Sequence, residues 1–184
     1  LKKVFNIRFI DGGYKEAYSI LVQGSFVVVP SGPGLSEIDR NTSYYNAIQN
    51  ADFALPDSGL MILLLRLVTG LRISKLSGPK FLRQFLNEDD VKQEHALFLI
   101  EPSSGIGKNH RNYLNLNSIP LSKEYQYIAP MYVQENIVDA KLVDILNNLA
   151  TKPKLIIINL GGGVQELLGY YLKRNLNFPV SILC

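Results

Sequence analysis

The sequence predicts an α/β protein with a mostly parallel β-sheet and helices on both of its faces. Short apolar runs such as residues 25–30 and 154–160 have the continuous, β-branched character of strands buried on both sides. Longer segments with apolar residues at helical spacing stand between such runs. Strands that alternate with helices in this way favour a parallel sheet.

Each element is predicted from its own local pattern. Apolar, β-rich runs bounded by turn residues predict strands at residues 4–10, 25–30, 51–56, 96–101, 124–129 and 154–160, and a further one from residue 178. Apolar and aromatic residues at helical spacing predict helices at residues 14–22, 35–50, 60–70, 78–86, 107–116, 138–149 and 164–174. We find no repeat, linker or low-complexity segment, so residues 1–184 are expected to form one domain.

Composition narrows the class of protein. A chain of 184 residues that is 47% hydrophobic and 19% charged can bury a substantial core. The net charge of +3 is mildly basic, but no Lys/Arg run is interleaved with aromatic residues, so nucleic-acid binding is not predicted. The apolar run at residues 60–65 is far shorter than the roughly 20 residues of a membrane span, and we interpret it as a buried core helix.

The end of the predicted strand before Asp57 is the first candidate site. The chain delivers this acid to a strand end, just before a helix, which is where α/β proteins place their chemistry. Asp57 could serve as a catalytic carboxylate. It could instead be only the N-cap of the following helix, because a carboxylate satisfies free N–H groups there.

A glycine-rich loop at residues 161–166 is the second candidate site. It lies between an apolar strand and a helix, so its backbone N–H groups and the helix dipole could hold a phosphate. Glu166 stands where a dinucleotide-binding fingerprint needs its third glycine, so that motif is not matched. A tightly packed turn without a ligand is the alternative interpretation.

Other polar groups support no site by their pattern. Residues 103–108 resemble a phosphate-binding loop only superficially, because Pro102 and Asn109 stand at two required positions. A basic cluster of Lys108, His110 and Arg111 could meet a diphosphate or lipid head group, or form a solvated face. The acidic triplet at residues 88–90 has no nearby fourth ligand, and no metal site or cofactor is predicted.

Several motifs together resemble the WecG/TagA/CpsF family of bacterial glycosyltransferases. They are Val-Val-Val-Pro-Ser at residues 27–31, Ala-Asp-Phe-Ala-Leu-Pro-Asp at 51–57, Ser-Gly at 77–78 and Leu-Gly-Gly-Gly-Val-Gln-Glu-Leu at 160–167. Residues 6–11 and 179–182 extend the similarity to nearly the whole chain. The resemblance implies a Rossmann-like core.

The resemblance also implies a reaction. Such proteins transfer a sugar with inversion, without a catalytic metal, from a nucleotide donor, commonly UDP-linked, to a lipid-diphosphate-linked acceptor. The product belongs to cell-envelope or extracellular polysaccharides, of which teichoic acid linkage units are one kind. The protein is then expected in the cytoplasm, peripheral at the inner face of the cell membrane. Membrane docking would rest on a segment after Cys184, and homo-oligomer formation is left open.

The same resemblance assigns roles to residues. Asp57 falls on the proposed base. The expected nucleotide-binding residues are Gly161, Gly162, Gly163, Gln165 and Glu166, and the expected substrate-binding residues are Ser31, Ser58, Lys75, Ser77 and Tyr132.

The chain departs from the family pattern around these positions. Val29-Pro30-Ser31 replaces Thr-x-Asn, Ser58 replaces a glycine, and Lys75 replaces an arginine. The proline that usually comes before the Gln-Glu pair is absent, since Gly163-Val164 stand there. A non-catalytic relative that binds nucleotide sugars is therefore an alternative function. An NAD-dependent oxidoreductase is another, which the unmatched glycine fingerprint disfavours.

Overall fold

A computed structural model of the chain describes residues 1–4, 6–30, 42–133 and 137–184. Within these ranges, Leu64 and Leu65 are described by their backbone alone. Its strands are β1 Lys2–Val4, β2 Ile7–Phe9, β3 Phe26–Val28, β4 Phe53–Ala54, β5 Leu97–Glu101, β6 Gln126–Ile128, β7 Leu155–Ile158 and β8 Ser181–Leu183. Its helices are α1 Gly13–Leu21, α2 Thr42–Gln49, α3 Gly59–Thr69, α4 Gly78–Phe85, α5 Ser104–Leu116, α6 Ala140–Asn148 and α7 Val164–Asn175.

The strands form one eight-stranded sheet in the order β1-β2-β4-β3-β8-β7-β5-β6. Every neighbouring pair is parallel except β1 and β2. The predicted α/β fold with a mostly parallel sheet is therefore confirmed. Because parallel strands share a direction, the segments that follow β3, β4, β5 and β7 all leave from one edge of the sheet, called here the carboxyl edge.

Helices cover both faces because the chain crosses the sheet in both directions. Right-handed crossovers put α1, α4 and α5 on one face and α2, α6 and α7 on the other. Aromatic contacts join α1 to α4, with ring centroids 5.5 Å apart for Tyr14 and Phe81. The connection after β5 runs outward to β6, whereas the one after β7 runs back to β8. The carboxyl ends of β5 and β7 thus flank a switch point, the usual ligand crevice of such sheets.

The core lies between the sheet and these helix layers. Every residue of β3, β5, β7 and β8 is buried, as predicted for strands covered on both faces. Large aromatic side chains such as Phe26, Phe53 and Phe98 are fully enclosed. Burial of each such side chain contributes about 1.5–3 kcal/mol relative to exposure, which fixes the strands that carry the site.

One strand prediction was wrong in detail. Residues 4–10 are not a single strand, since β1 and β2 form an antiparallel hairpin with Val4 opposite Ile7. Asn6 takes a positive φ of 61° in the turn, a conformation that asparagine tolerates better than most residues. The first part of the predicted helix at 35–50 lies outside the described residues.

The prediction of a buried core helix at residues 60–65 was also wrong. Helix α3 forms, but Leu60 and Leu63 are exposed, whereas Met61 is buried in the core and Ile62 packs partly against it. The helix therefore has one side on the protein and one side in solvent.

Candidate active site

Asp57 follows β4 at the carboxyl edge and bonds to a helix. Its Oδ1 atom accepts a hydrogen bond of 3.0 Å from the N–H of Gly78, the first residue of α4. The cap of α3 is Ser58, whose Oγ accepts from the Met61 N–H at 3.3 Å. The interpretation of Asp57 as the N-cap of the next helix is therefore wrong, because the carboxylate serves the start of α4 instead.

Segment 71–77 brings further predicted residues to Asp57. The Leu76 N–H donates to the Pro56 carbonyl at 3.1 Å, which holds this segment beside the end of β4. The Lys75 ammonium lies 4.0 Å from the position that a Cβ atom of Gly59 would occupy. Asp57, Ser58, Lys75 and Ser77 thus form one group, called here the Asp57 cluster. It combines a carboxylate that can accept a proton with a cation that can meet an anion. Ser31 lies outside the described residues.

The glycine-rich loop follows β7 at the same edge. Its later N–H groups already have acceptors in the chain. Gly163 donates to Glu166 Oε2 at 2.7 Å, and Val164 and Gln165 both donate to the Gly161 carbonyl at 3.2 Å. Gly161 and Gly162 are exposed and are the glycines of the loop best placed to meet a phosphate.

Glu166 and Gln165 face inward rather than toward solvent. Burial raises the pKa of the Glu166 carboxyl, while its bond from Gly163 acts in the opposite direction. The Gln165 amide, oriented with its nitrogen toward the strand, donates to the Leu160 carbonyl at 2.8 Å. Both side chains thus bond to the turn after β7, Glu166 from a buried position and Gln165 from a half-buried one.

Tyr132 lies after β6, apart from the Asp57 cluster. Its hydroxyl donates to Asp139 Oδ2 at 2.6 Å, and Tyr127 donates to the same oxygen at 2.9 Å. Burial and these bonds raise the pKa of Tyr132 and raise that of Tyr127 to about 12. Asp139 also caps α6 through the Leu142 N–H at 2.9 Å. The Tyr132 hydroxyl is therefore engaged, and its half-buried side chain packs against the core.

Sequence reasoning missed a polar group at the switch point. Glu101, the last residue of β5, is fully buried and accepts from His110 Nδ1 at 2.9 Å and from Asn159 Nδ2 at 3.1 Å. His110 and Asn159 also line a cavity of about 230 Å³ with apolar walls that include Leu82 and Leu99. A charged residue that ends an otherwise apolar strand, Leu-Phe-Leu-Ile-Glu, was the available signal.

The basic cluster of Lys108, His110 and Arg111 does not act as a unit. His110 turns to Glu101, whereas Arg111 donates to the Gln126 side chain at 2.8 Å. The acidic triplet also has partners, since Tyr14 donates to Glu88 at 2.6 Å and Tyr18 to Asp90 at 3.4 Å. Within the described ranges, no three His, Cys, Asp or Glu side chains converge as metal ligands would.

The sites lie along one edge in a definite order. The Asp57 cluster and the glycine-rich loop follow β4 and β7, which are three strand spacings or roughly 14 Å apart. A larger cavity of about 570 Å³ opens at the opposite edge, near Gly24 and Pro179. We place the site at the carboxyl edge nonetheless, because open parallel sheets bind ligands there, and both the Asp57 cluster and the glycine-rich loop lie there.

These features define an α/β protein with its polar groups at the carboxyl edge of a parallel sheet, the arrangement typical of nucleotide-dependent enzymes. A scan against protein-family models matches residues 3–184 to the family described as the glycosyl transferase WecG/TagA/CpsF family. The chain belongs to this family of glycosyltransferases. A search of curated proteins gave no match. Of the helices in the described part of the chain, none has both the length and the apolarity to cross a bilayer.

Proposed function

We propose that the protein transfers a sugar, with inversion, from a UDP-linked donor to a lipid-diphosphate-linked acceptor in cell-envelope or extracellular polysaccharide synthesis. The observation that carries the proposal is the family match over residues 3–184, because it includes both the Asp57 cluster and the glycine-rich loop. On this proposal the protein works in the cytoplasm, at the inner face of the cell membrane.

The proposed mechanism assigns one role to each end of the site. Asp57 accepts the proton of the acceptor hydroxyl as that oxygen attacks the anomeric carbon. The donor lies across the carboxyl edge, with its nucleotide near Gly161 and Gly162 and its sugar near Asp57. Negative charge develops on the departing diphosphate, and Lys75 with the loop N–H groups stabilises it. The strand ends that carry the two groups are roughly 14 Å apart, so the donor would have to extend along the edge to reach both.

The proposed reaction needs no metal ion. Lys75 supplies the positive charge near the leaving group, although an ammonium lacks the two-pronged geometry with which arginine binds phosphate. The substrate-binding roles of Ser31, Ser58, Ser77 and Tyr132 belong to the same proposal. Ser77 and Ser58 stand beside Asp57, whereas Tyr132 belongs to the β6 side of the edge.

A screen of nucleotide sugars tests the proposal directly. The protein is incubated with each donor and a synthetic lipid-diphosphate-linked sugar, and mass spectrometry measures the mass added to the acceptor. We expect one hexose or N-acetylhexosamine added from a UDP-linked donor. Absence of any product with every donor, from folded protein that binds UDP, would contradict the proposed transfer.

A second function is a non-catalytic nucleotide-sugar-binding protein that acts as an assembly partner. One observation favours it: Asp57 Oδ1 is already engaged with Gly78, so only part of the carboxylate is available as a base. The replacement of Thr-x-Asn by Val29-Pro30-Ser31 points the same way. Binding of UDP without transfer or donor hydrolysis would support this second function over the first.

A further inference from the structure

Helix α3 presents an exposed apolar face. Leu60, Leu63, Leu67 and Val68 are 68%, 52%, 73% and 76% exposed. At 100° per residue these four positions cover an arc of about 140° on one side of the helix. Exposed apolar residues scattered singly are ordinary, but a contiguous stripe on one helix face marks an interaction surface.

The segment that carries this face holds the positive charge of the protein. Residues 58–87 contain five basic residues and no Asp or Glu. The whole chain has 19 Lys and Arg against 16 Asp and Glu, so the remainder has 14 basic and 16 acidic residues and is slightly negative. The five basic side chains, all exposed, are Arg66, Arg72, Lys75, Lys80 and Arg83.

We propose that α3 docks the protein on an anionic lipid bilayer, with its apolar face inserted at the level of the head groups. An amphipathic helix with basic residues beside its apolar face lies in the plane of such an interface. Arg66 neighbours the apolar arc on the helix. Two acids from outside the segment bond to it: Asp57 accepts from the Gly78 N–H and Asp11 from the Ser74 N–H. Asp11 is also paired with Lys2 at 2.7 Å.

Charge decides between a bilayer and a second copy of the chain as the occupant. A two-fold interface uses the same surface of both copies, so it would bring two copies of this basic segment close together. An anionic leaflet instead attracts each basic residue near its surface. The bilayer is thus the occupant that suits both the apolar face and its charge.

The position of α3 suits a lipid-linked acceptor. The helix begins two residues after Asp57, so the docked face adjoins the candidate active site. The biological role of this docking rests on the proposed function, because that function places the acceptor in a membrane. Vesicle binding is measured without sugar transfer, so docking and transfer can each fail while the other holds.

Sedimentation with lipid vesicles tests the inference. The 184-residue chain is mixed with vesicles of phosphatidylcholine, alone or with an equal part of phosphatidylglycerol. We expect binding to the anionic vesicles that weakens as salt is added. The double variant Leu63→Ser/Leu67→Ser should lose roughly tenfold or more of this affinity, since burying even part of two leucine side chains provides that much. Leu116→Ser, at an 86% exposed leucine of α5, is the matched control and should bind as the unaltered chain does.

A second pair of substitutions and one further measurement complete the test. Arg66→Gln/Arg72→Gln should weaken binding to anionic vesicles with little change in stability, which keeps the inference testable if the leucine variant unfolds. Failure of the unaltered chain to bind anionic vesicles would overturn the inference. So would unaltered binding by a folded Leu63→Ser/Leu67→Ser variant. A dimer in light scattering that this variant dissociates would also overturn it, because the face would then contact a second copy.

Discussion

At the scale of single residues, Asp57 has two tasks that a substitution can separate. Its Oδ1 atom accepts the N–H of Gly78, while the proposed chemistry requires its negative charge. Asp57→Asn keeps an oxygen that can accept the same bond but removes the base. We expect transfer to fall by about 100-fold or more, since general bases contribute roughly 10² to 10⁴-fold, with little change in stability. Product formation by mass spectrometry and urea unfolding measure the two effects.

The control for this substitution is an acid remote from the carboxyl edge. Asp52 lies just before β4 and accepts from the N–H of Phe26, the first residue of β3, at 2.7 Å, so Asp52→Asn should retain transfer. Full activity of folded Asp57→Asn would remove Asp57 from the role of base and favour the non-catalytic alternative.

The Glu166 carboxyl should make the free energy of unfolding of the protein decrease as pH rises. Burial raises the pKa of its carboxyl in the folded state above the ordinary value of 4.5. Above about pH 4.5 the unfolded chain therefore releases this proton before the folded chain does. The stabilisation is fully present below that pH and is lost as pH rises through the folded-state pKa.

Urea unfolding of the unaltered chain and of Glu166→Gln across this pH range measures the effect. The free energy of unfolding of the unaltered chain should decline relative to that of Glu166→Gln as pH increases. Glu94→Gln, at a largely exposed carboxyl, is the control and should show no such divergence. Parallel curves for all three proteins would mean that Glu166 titrates alike in both states.

At the scale of elements, α7 packs so closely on the sheet that it needs a glycine. A Cβ atom at Gly169 would stand 2.6 Å from both Cys184 Sγ and Phe26 Cε2. We expect Gly169→Ala to destabilise by about 1–3 kcal/mol, despite the better helix propensity of alanine, because overpacking a core costs that much. Urea unfolding measures the change.

Gly105 in α5 is the matched control for Gly169. Among the described residues, no atom beyond its chain neighbours and the nearby backbone of its own helix lies within 4 Å of the position that its Cβ would occupy. Gly105→Ala should therefore be neutral or stabilise by up to about 1 kcal/mol. Equal effects of the two substitutions would show that close packing does not govern the cost at Gly169.

Most elements could be predicted from the sequence because their patterns are local. The helical spacing of Phe81 and Phe85 marks the buried side of α4, and the continuous apolar run of β7 marks a doubly covered strand. The exposed face of α3 could not be predicted in this way. A run of apolar residues has no polar side, so its sequence pattern does not distinguish a buried helix from one that faces a partner.

The sequence predicts only those site residues that can be recognised from their own position in the chain. Asp57 and the glycine-rich loop were found because each follows a strand, and the family resemblance linked them. The approach of Lys75 to the start of α3 depends on the bond from Leu76 to Pro56, which joins residues 20 apart. The contact of Glu101 with Asn159 joins residues 58 apart, and no local pattern predicts such a pair.

At the scale of the whole molecule, UDP should stabilise the folded chain without added metal. A ligand at about 100 times its Kd adds about 2.7 kcal/mol to the free energy of unfolding, which raises Tm by roughly 5–10 °C for a chain of this size. The measurement is a thermal shift with UDP in the presence of a chelator, with ADP as the control nucleotide. A shift that appears only with magnesium or manganese would contradict the metal-free proposal.

The β1–β2 hairpin lowers the tendency of the protein to aggregate through the edge of its sheet. A parallel sheet that ended on β2 would offer a row of unpaired backbone groups to any extended chain. The hairpin instead places β1 outermost, a strand of three residues that carries Lys2 and Lys3. Short edge strands and lysine side chains are devices that discourage the addition of another strand. The turn at Asn6 thus protects this side of the sheet against aggregation.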